Sequence, residues 1–292
     1  MKKSREVIIF NIFAYAVVII FSILCILPFL YTLSGSFTEE SMLYKGITLI
    51  PKQFSIESYK LILQKPDEML NAYGVTIKLV ILGTVFGLLI TTMTAFVLQR
   101  KDFKYRNIFS FYFFFTTLFS GGLVPSYVLI SKMGMKNTFW VLLIPVLVNV
   151  FNIIITRTYF QNNIPDSLTE SAKIDGANDF RIYAQIFLPV SKPILATIGL
   201  FIAIQYWNDW SMAMLYITDK KLYPLQFYLY NIFNSMQWKQ LLSEKVGGSV
   251  GQMPQEGYKM AMTVFTMGPV ILFYPFVQKY FVQGITIGAV KG

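Results

Sequence analysis

The sequence contains six apolar runs, each about long enough to cross a membrane as an α-helix. An α-helix needs about 20 apolar residues to cross the hydrocarbon core of a bilayer. The first run, Ile8–Tyr31, has 24 residues without a charge. The fifth run contains one carboxylate, Asp209. The fold class predicted is therefore an all-α integral membrane protein, one domain over residues 1–292, with six transmembrane helices. The spans are expected at about 8–31, 74–98, 108–130, 138–156, 193–218 and 260–278.

Composition excludes several other classes of protein. Only 14% of residues are charged, against about 25% in soluble domains. The chain has no histidine and one cysteine, Cys25, which leaves no His-based metal site, no catalytic dyad with histidine and no disulfide within the chain. The phosphate-binding pattern GxxxxGK[ST] is also missing from the sequence. We therefore expect no catalytic residues, no metal site and no ATP hydrolysis by this chain.

The distribution of lysine and arginine predicts the topology. The net charge is +10, but the cations are scattered and form no recognisable nucleic-acid motif. They are dense in two short segments, the N-terminus and residues 99–107, and short basic segments stay in the cytoplasm. Both termini and the segment 157–192 are therefore predicted to be cytoplasmic. Residues 32–73 and 218–259 are predicted to be extracytoplasmic loops. The first apolar run is too long for a cleaved signal peptide and is interpreted as a retained helix.

The segment 157–192 has the pattern of two short helices joined by a glycine. Ser167 and Glu170 have the spacing of a capping box at the first helix. Gly176 suits the left-handed position that ends a helix. Pro189 is expected to stop the second helix.

The second of these helices has apolar residues at helical spacing. Such side chains, outside the membrane, need a surface against which to be buried. They could pack on the ends of the chain's own helices or fill a groove on a cytoplasmic partner, and the sequence leaves both possibilities open. The residues are Phe180, Tyr183, Ile186 and Phe187.

The same segment resembles the EAA loop of ABC importer permeases. The matching pattern is Glu170-x-Ala172-x3-Gly176-x9-Ile186-x-Leu188-Pro189, with Ser171 in place of the family's alanine. The resemblance implies a coupling loop between spans four and five that docks into a cleft of an ATP-hydrolysing subunit. The coupling residues it implies are Glu170, Ser171, Ala172, Asp175, Gly176, Ala177, Ile186, Leu188 and Pro189.

Further segments are similar to the binding-protein-dependent carbohydrate permeases of the maltose type, and the similarity covers essentially the whole chain. The C-terminal Phe281–Gly292 resembles the tail that reaches between the two ATPase subunits in that family, and Trp207-Asn208 is also similar. Phe119–Pro125 and Asn137–Trp140 resemble the branch that imports larger oligosaccharides, including aldouronates. The tail residues implied to contact the ATPase are Gly284, Gly288, Lys291 and Gly292.

This resemblance implies a multi-pass permease in the plasma or inner membrane of a prokaryote. The chain would form half of a sugar pathway and transport a sugar, most simply an oligosaccharide. The partners implied are a second, related permease, two ATPase subunits, an extracytoplasmic solute-binding protein, the sugar and the lipid bilayer, with no nucleic acid. The chain itself would bind no cofactor, because ATP and Mg²⁺ belong to the partner ATPase.

Polar residues within the spans are candidates for the substrate path. A charge within a span usually faces a cavity and marks function; alternatively, Asp209 caps or pairs at the outer interface. Polar residues can also join helices without touching a ligand. The candidates are Ser120, Asn149, Asn152, Gln205, Asn208 and Asp209.

Two glycine-proline clusters predict interruptions of the spans. They are Gly121-Gly122 with Pro125, and Gly268-Pro269.

The alternative function is a stand-alone secondary transporter driven by an ion gradient, although Asp209 is the only acidic residue in a predicted span.

Overall fold

The computed structural model describes residues 5–64, 66–246 and 255–289. Within these ranges the backbone is mostly helical, and the only extended pairing is an isolated bridge between Thr38 and Phe54. The chain divides into two compact units. One comprises Met1–Pro66 with Asn231–Val270, and the other comprises Asp67–Tyr230 with Ile271–Gly292.

The helices vary in length from one turn to 34 residues. The first eight are α1 Arg5–Ser36, α2 Glu40–Leu43, α3 Glu57–Ile62, α4 Pro66–Gln99, α5 Arg106–Leu118, α6 Leu123–Lys132, α7 Phe139–Leu143 and α8 Val150–Asn163. The remaining helices are α9 Asp166–Ile174, α10 Asp179–Ile182, α11 Leu188–Val190, α12 Lys192–Asn208, α13 Ser211–Tyr216, α14 Leu225–Val246 and α15 Glu256–Ala289. Short 3₁₀ turns occupy Ile144–Val146 and Lys220–Leu222, and a π-helical turn occupies Tyr183–Phe187.

Two of the described helices, α1 and α4, are each long and apolar enough to cross a membrane. Three bent helix pairs would raise the number to five if each pair is one span: α5 with α6 at 114°, Phe139–Val146 with α8 at 44°, and Asp179–Val190 with α12 at 85°. The sixth predicted span falls inside α15. The count of six spans stays a prediction.

The helices α1 and α4 both extend beyond the apolar runs that predict them. The helix α1 continues to Ser36, and α4 begins at Pro66, inside the predicted loop 32–73. Pro66 suits a first helical position, and Asp67 and Glu68 favour a helix N-terminus electrostatically. Most apolar side chains of α1 are exposed within its own unit, which is the distribution that a lipid-facing helix requires.

In the first unit, the segment that contains α2 and α3 packs on the start of α15. The carboxylate of Glu40 accepts hydrogen bonds from the backbone N–H groups of Gln255, Glu256 and Gly257 at 2.9–3.0 Å. These N–H groups have no partner within the helix, so Glu40 caps α15. The ring of Phe37 stacks on Tyr59 with a centroid distance of 4.8 Å. Part of the predicted loop 32–73 is therefore folded structure.

In the second unit, α4 and α12 approach closely at glycines. A Cβ atom at Gly83 would lie 2.1 Å from the ring of Tyr206, and one at Gly87 would lie 3.2 Å from Ile202. Small residues allow such approach between membrane helices. The buried Tyr206 hydroxyl donates a 2.7 Å hydrogen bond to the carbonyl of Leu143, which fixes α12 against α7.

The two predicted interruptions have different outcomes. The chain breaks between α5 and α6, where Gly122 has a φ of +90°, and the helices turn by 114°. In contrast, α15 continues through Gly268 and Pro269 without an interruption, so that part of the prediction is wrong. A separate break occurs in the predicted span 193–218, which consists of α12 and α13 with Asp209 between them.

Candidate functional site

The segment 166–190 forms two helical pieces on either side of Gly176. The helix α9 ends in a Schellman motif, in which Ala177 N–H bonds to Ala172 C=O at 2.9 Å and Gly176 N–H bonds to Lys173 C=O at 3.0 Å. Gly176 has a φ of +79°, a conformation that residues with a Cβ rarely adopt. Ala172 is buried and Ala177 packs against the same core, which is the apolar contact that usually accompanies this motif. The predicted glycine joint is confirmed.

The predicted helix signals at the two ends of this segment are wrong. The helix α9 begins at Asp166 after Pro165, and no side chain caps it, because Ser167 is already in the first turn. A side-chain cap exists instead at α10, where Asn178 Oδ1 accepts a 2.8 Å bond from Arg181 N–H. Pro189 lies within α11 and does not end the helical run, which continues to Val190.

The second helical piece, Asp179–Val190, contributes apolar residues to the chain's own core. Tyr183 and Phe187 are both buried there. Phe96, near the end of α4, contacts both rings at centroid distances of 5.5 and 4.8 Å. The Tyr183 hydroxyl also lies 2.7 Å from the hydroxyl of Thr92. For these two residues, packing on the chain's own helix ends is the correct alternative.

The two most exposed apolar side chains of the segment lie near its centre. Ile174, at the end of α9, is 87% exposed, and Phe180, in α10, is 69% exposed. They lie on either side of the Gly176 joint. These two exposed side chains are together called the joint surface.

The residues of the EAA pattern have mixed exposure. Glu170, Ser171, Asp175, Gly176 and Pro189 are exposed, Ala172 is buried, and Ala177, Ile186 and Leu188 are half-buried. The pattern therefore contributes both to the chain's own core and to its surface.

An ion-pair network joins this segment to the loop after α4. Arg100 contacts Asp102 at 2.5 Å and Asp179 at 2.9 Å. Lys173 contacts the same Asp102 at 2.6 Å, and Lys101 makes a separate 2.5 Å pair with α9. From the sequence, this basic loop predicts only the topology. The sequence does contain an indication of these ion pairs, because Asp102 stands among four cations in a segment predicted to share a membrane side with residues 157–192.

The network is anchored by one nearly buried cation. The side chain of Arg100 is 9% exposed, whereas those of Asp102 and Asp179 are 52% and 67% exposed. The guanidinium also lies 5.6 Å from the ring centroid of Phe96, a favourable cation–π distance. Hydrogen bonds from Arg100 and then Lys173 hold the pKa of Asp102 well below its usual range. Arg100 thus links the core, the α4 loop and α10.

Among the substrate-path candidates, Asp209 has a local structural role. Its Oδ1 accepts bonds from Ser211 N–H at 2.9 Å, Ser211 Oγ at 2.8 Å and Met212 N–H at 3.3 Å. These contacts cap the first turn of α13. The capping alternative therefore accounts for Asp209.

The other candidates are spread over several elements. Asn149 caps α8 by accepting a 3.3 Å bond from the N–H of Asn152, which is itself buried. Ser120 is exposed and accepts a 3.2 Å bond from Gly122 N–H. Gln205 is half-buried and Asn208 is exposed. Hydrogen bonds within the chain thus account for three of the six candidates.

The predicted C-terminal contacts are described only in part. Gly284 and Gly288 lie in the helical backbone of α15. Lys291 and Gly292 lie outside the described residues.

Comparison with known proteins places this arrangement in a family. Residues 83–287 match the model of the family described as binding-protein-dependent transport system inner membrane component. The chain is 37% identical to the polygalacturonan/rhamnogalacturonan transport system permease protein YtcP of Bacillus subtilis (strain 168), over 97% of this chain and 99% of that protein. It is 28% identical to the trehalose/maltose transport system permease protein MalG of Thermococcus litoralis, over 99% of each chain.

A solved structure supports the same relationship. The crystal structure of a bacterial ABC transporter involved in import of the acidic polysaccharide alginate has a chain that matches with a TM-score of 0.82 and 30% identity, over 96% of this chain and 99% of that one. The family match covers most of the chain and the relatives match almost end to end. The chain therefore belongs to the family of binding-protein-dependent transport system inner membrane components.

Proposed function

We propose that this ABC sugar-importer permease imports acidic oligosaccharides and is driven through its segment 157–192 by a separate ATPase. The family and the relatives support an ATP-driven importer rather than a stand-alone transporter driven by an ion gradient. Two of the matched proteins are described by acidic polysaccharides or their transport, polygalacturonan/rhamnogalacturonan and alginate. These names support a uronate-containing substrate.

The joint surface is the observation that carries the proposed coupling. Its two side chains, Ile174 and Phe180, are exposed beside a fixed glycine turn, while their neighbours Tyr183 and Phe187 are buried. Burying a large apolar side chain contributes about 1.5–3 kcal/mol. Two such residues on a rigid turn have the character of anchors for a partner's pocket. The partner proposed for this surface is the ATPase.

The proposed topology follows from the length of α4. Its apolar part, Leu79–Leu98, extends for about 28 Å at 1.5 Å per residue, which matches the hydrocarbon core. The start of α4 and the loop 99–107 then lie on opposite sides of the membrane. With the basic loop inside, both termini are cytoplasmic, and the segments 32–73 and 218–259 face the solute-binding protein. This assignment includes six spans, the sixth within α15.

The proposed mechanism passes motion from the ATPase to α4. ATP and Mg²⁺ bind to the two ATPase subunits, whose closure displaces the joint surface. The Schellman turn at Gly176 and the ion pairs of Arg100 transmit that displacement as one body, because packed contacts have discrete arrangements. The spans then rock between inward- and outward-facing states, with a second, related permease forming the other half of the pathway. The C-terminal Gly284, Gly288, Lys291 and Gly292 are proposed as a further contact with the ATPase.

Co-purification tests the proposal. The tagged chain is extracted from its own cells in mild detergent, and its partners are identified by mass spectrometry. We expect an ATPase and a second permease, and we expect loss of the ATPase alone when Ile174 and Phe180 are both replaced by Asp. Ile50→Asp, at a similarly exposed residue of the predicted outer loop, is the matched control. Recovery of the wild-type chain alone, or retention of the ATPase by the double variant, would overturn the proposal.

A further inference from the structure

A cavity of about 350 Å³ lies in the second unit, at the start of α4. Its α4 residues recur at helical spacing and so belong to one face of that helix. The opposite walls come from Phe139 at the start of α7 and from the 3₁₀ turn Lys220–Leu222. The lining residues are Asn71, Gly74, Val75, Lys78, Leu82, Phe139, Lys221 and Leu222.

Two lysines give this cavity a positive charge. Among the residues that the structure describes, neither Lys78 nor Lys221 makes an ion pair, and the lining includes no carboxylate. At the other end of α4, by contrast, Arg100 and Lys101 are both paired. Both lysines are exposed, so their ammonium groups are available to a ligand in the cavity. The chemistry of the cavity therefore favours an anionic occupant.

The wall that presents Lys221 is held in place by hydrogen bonds. Asn71 Nδ2 donates a 2.8 Å bond to the carbonyl of Lys221, and the N–H of Lys221 donates a 2.9 Å bond to Asp219 Oδ1. Asn137 Oδ1 accepts from the N–H groups of Thr218 at 3.0 Å and Asp219 at 2.8 Å. These bonds connect segments about 80 and 150 residues apart in sequence. The backbone of Lys221 is thus held in place before any ligand binds, which lowers the cost of ordering this wall.

The other walls suit a sugar ring. Leu82, Phe139 and Leu222 are apolar, Gly74 leaves room beside α4, and Asn71 supplies an amide. Ligand pockets range over about 300–1,000 Å³, so the cavity has room for one end of an oligosaccharide rather than for the whole molecule. Lys78 precedes the apolar part of α4, about 32 Å from the helix end at Gln99. In the proposed topology this is the outer end, where sugar arrives.

We propose that this cavity is the receiving site for a terminal uronate of the substrate, whose carboxylate pairs with Lys78 and Lys221. The inference rests on the proposed function and adds to it the place where acidic substrates are recognised. Phe139 and Leu82 contact the less polar face of the ring. A neutral sugar forms no ion pair with either ammonium group, so the cavity favours acidic ends.

Uptake kinetics test this site in the assembled importer. The permeases, ATPase and binding protein are reconstituted in phosphatidylcholine vesicles, and ATP-dependent uptake of trigalacturonate is measured. Lys78→Met and Lys221→Met should each raise KM about fivefold, the effect of one partly exposed ion pair, with a smaller change in maximal rate. Lys78→Arg and Lys221→Arg should restore a KM near the wild-type value. Lys132→Met, at an exposed lysine outside the cavity, should leave KM unchanged.

Each other outcome excludes a specific part of the proposal. An unchanged KM in both methionine variants, or an equal loss with arginine, shows that the lysine charges do not bind substrate. A defect found only after anionic lipid is added identifies a lipid headgroup as the occupant and overturns the assignment. Failure of the wild-type importer to take up trigalacturonate with ATP, while it takes up a neutral oligosaccharide, refutes the acidic substrate class. Failure to take up either sugar refutes the proposed function as a whole.

Discussion

Removal of the Arg100 side chain should separate ATP hydrolysis from sugar uptake. Arg100→Gln deletes two contacts to Asp102, at 2.8 and 2.5 Å, and one to Asp179 at 2.9 Å. It also leaves the α4 loop and α10 without their common partner. The joint surface would still meet the ATPase, but less of its displacement would be passed to α4.

The size of the effect follows from the exposure of the partners. Hydrogen bonds to charged groups contribute about 1.5–3 kcal/mol, and exposed ion pairs only about 0.2–1 kcal/mol. Arg100 is nearly buried, while both carboxylates are at least half exposed, so the network should contribute about 1–3 kcal/mol. A loss of about 1–3 kcal/mol shifts the equilibrium between the anchored and the released state of the segment 157–192 by about 5- to 150-fold. Lys101 and its partner Asp166 are both exposed, and Lys101→Gln should cost less than about 1 kcal/mol.

Parallel measurements of ATP hydrolysis and sugar uptake check this prediction. In the reconstituted importer, Arg100→Gln should retain hydrolysis while uptake per ATP falls at least fivefold. Lys101→Gln should keep the wild-type ratio. Asp102→Asn should cost less in the Arg100→Gln background than in the wild type, because only the pair of Asp102 with Lys173 then remains to be lost. A wild-type ratio in Arg100→Gln, or an equal loss in Lys101→Gln, would refute the role given to Arg100.

Three further predictions concern other parts of the second unit. Gly83→Ala should lower the thermal unfolding midpoint of the detergent-solubilised complex, because its Cβ would lie 2.1 Å from the ring of Tyr206; an unchanged midpoint would contradict the close packing. Gly176→Leu should cost about 1–2 kcal/mol at its left-handed φ and abolish uptake while the chain stays in the membrane, measured by transport and membrane fractionation, whereas normal uptake would remove the support for a rigid joint. Asp102 has a pKa lowered by Arg100 from the usual 3.8, so its stabilisation is complete above that value and is lost as pH falls through the lowered one. The difference in unfolding midpoint between wild type and Asp102→Asn should therefore stay constant from pH 8 to about 5 and shrink below about pH 4, and a loss near neutral pH would show that Asp102 is not held ionised by this pair.

Local patterns in the sequence predict those features of the fold that are determined by neighbouring residues. Long apolar runs predict α1 and α4, because membrane helices must satisfy their backbone internally. The glycine joint at Gly176 follows from the left-handed conformation that glycine adopts readily. The break at Gly122 follows from the same conformational freedom.

Features that depend on distant residues could not be predicted in this way. Asp102 and Lys173 are 71 residues apart, and no local pattern pairs them. The capping prediction at Ser167 failed because Pro165 is the N-cap, so the chain enters the helix two residues earlier. The interruption at Gly268 failed because glycine permits a break without requiring one. The cavity with Lys78 and Lys221 also needs the fold, since its walls come from α4, α7 and a distant turn.

At the π-helical turn Tyr183–Phe187, the number of residues, as well as their type, determines which side chains face the core. A residue advances by about 100° around an α-helix, and a turn closed by i→i+5 bonds holds one more residue than its α-helical equivalent. Deletion of one residue here would restore an ordinary helix and leave the residues before and after the turn in nearly their present orientation. Phe180 would then keep the face on which it is now exposed. Deletion of a second residue, with no wide turn left to absorb it, would rotate Phe180 by about 100° and remove it from that face. Relatives that are one residue shorter in this turn could therefore keep the same partner surface.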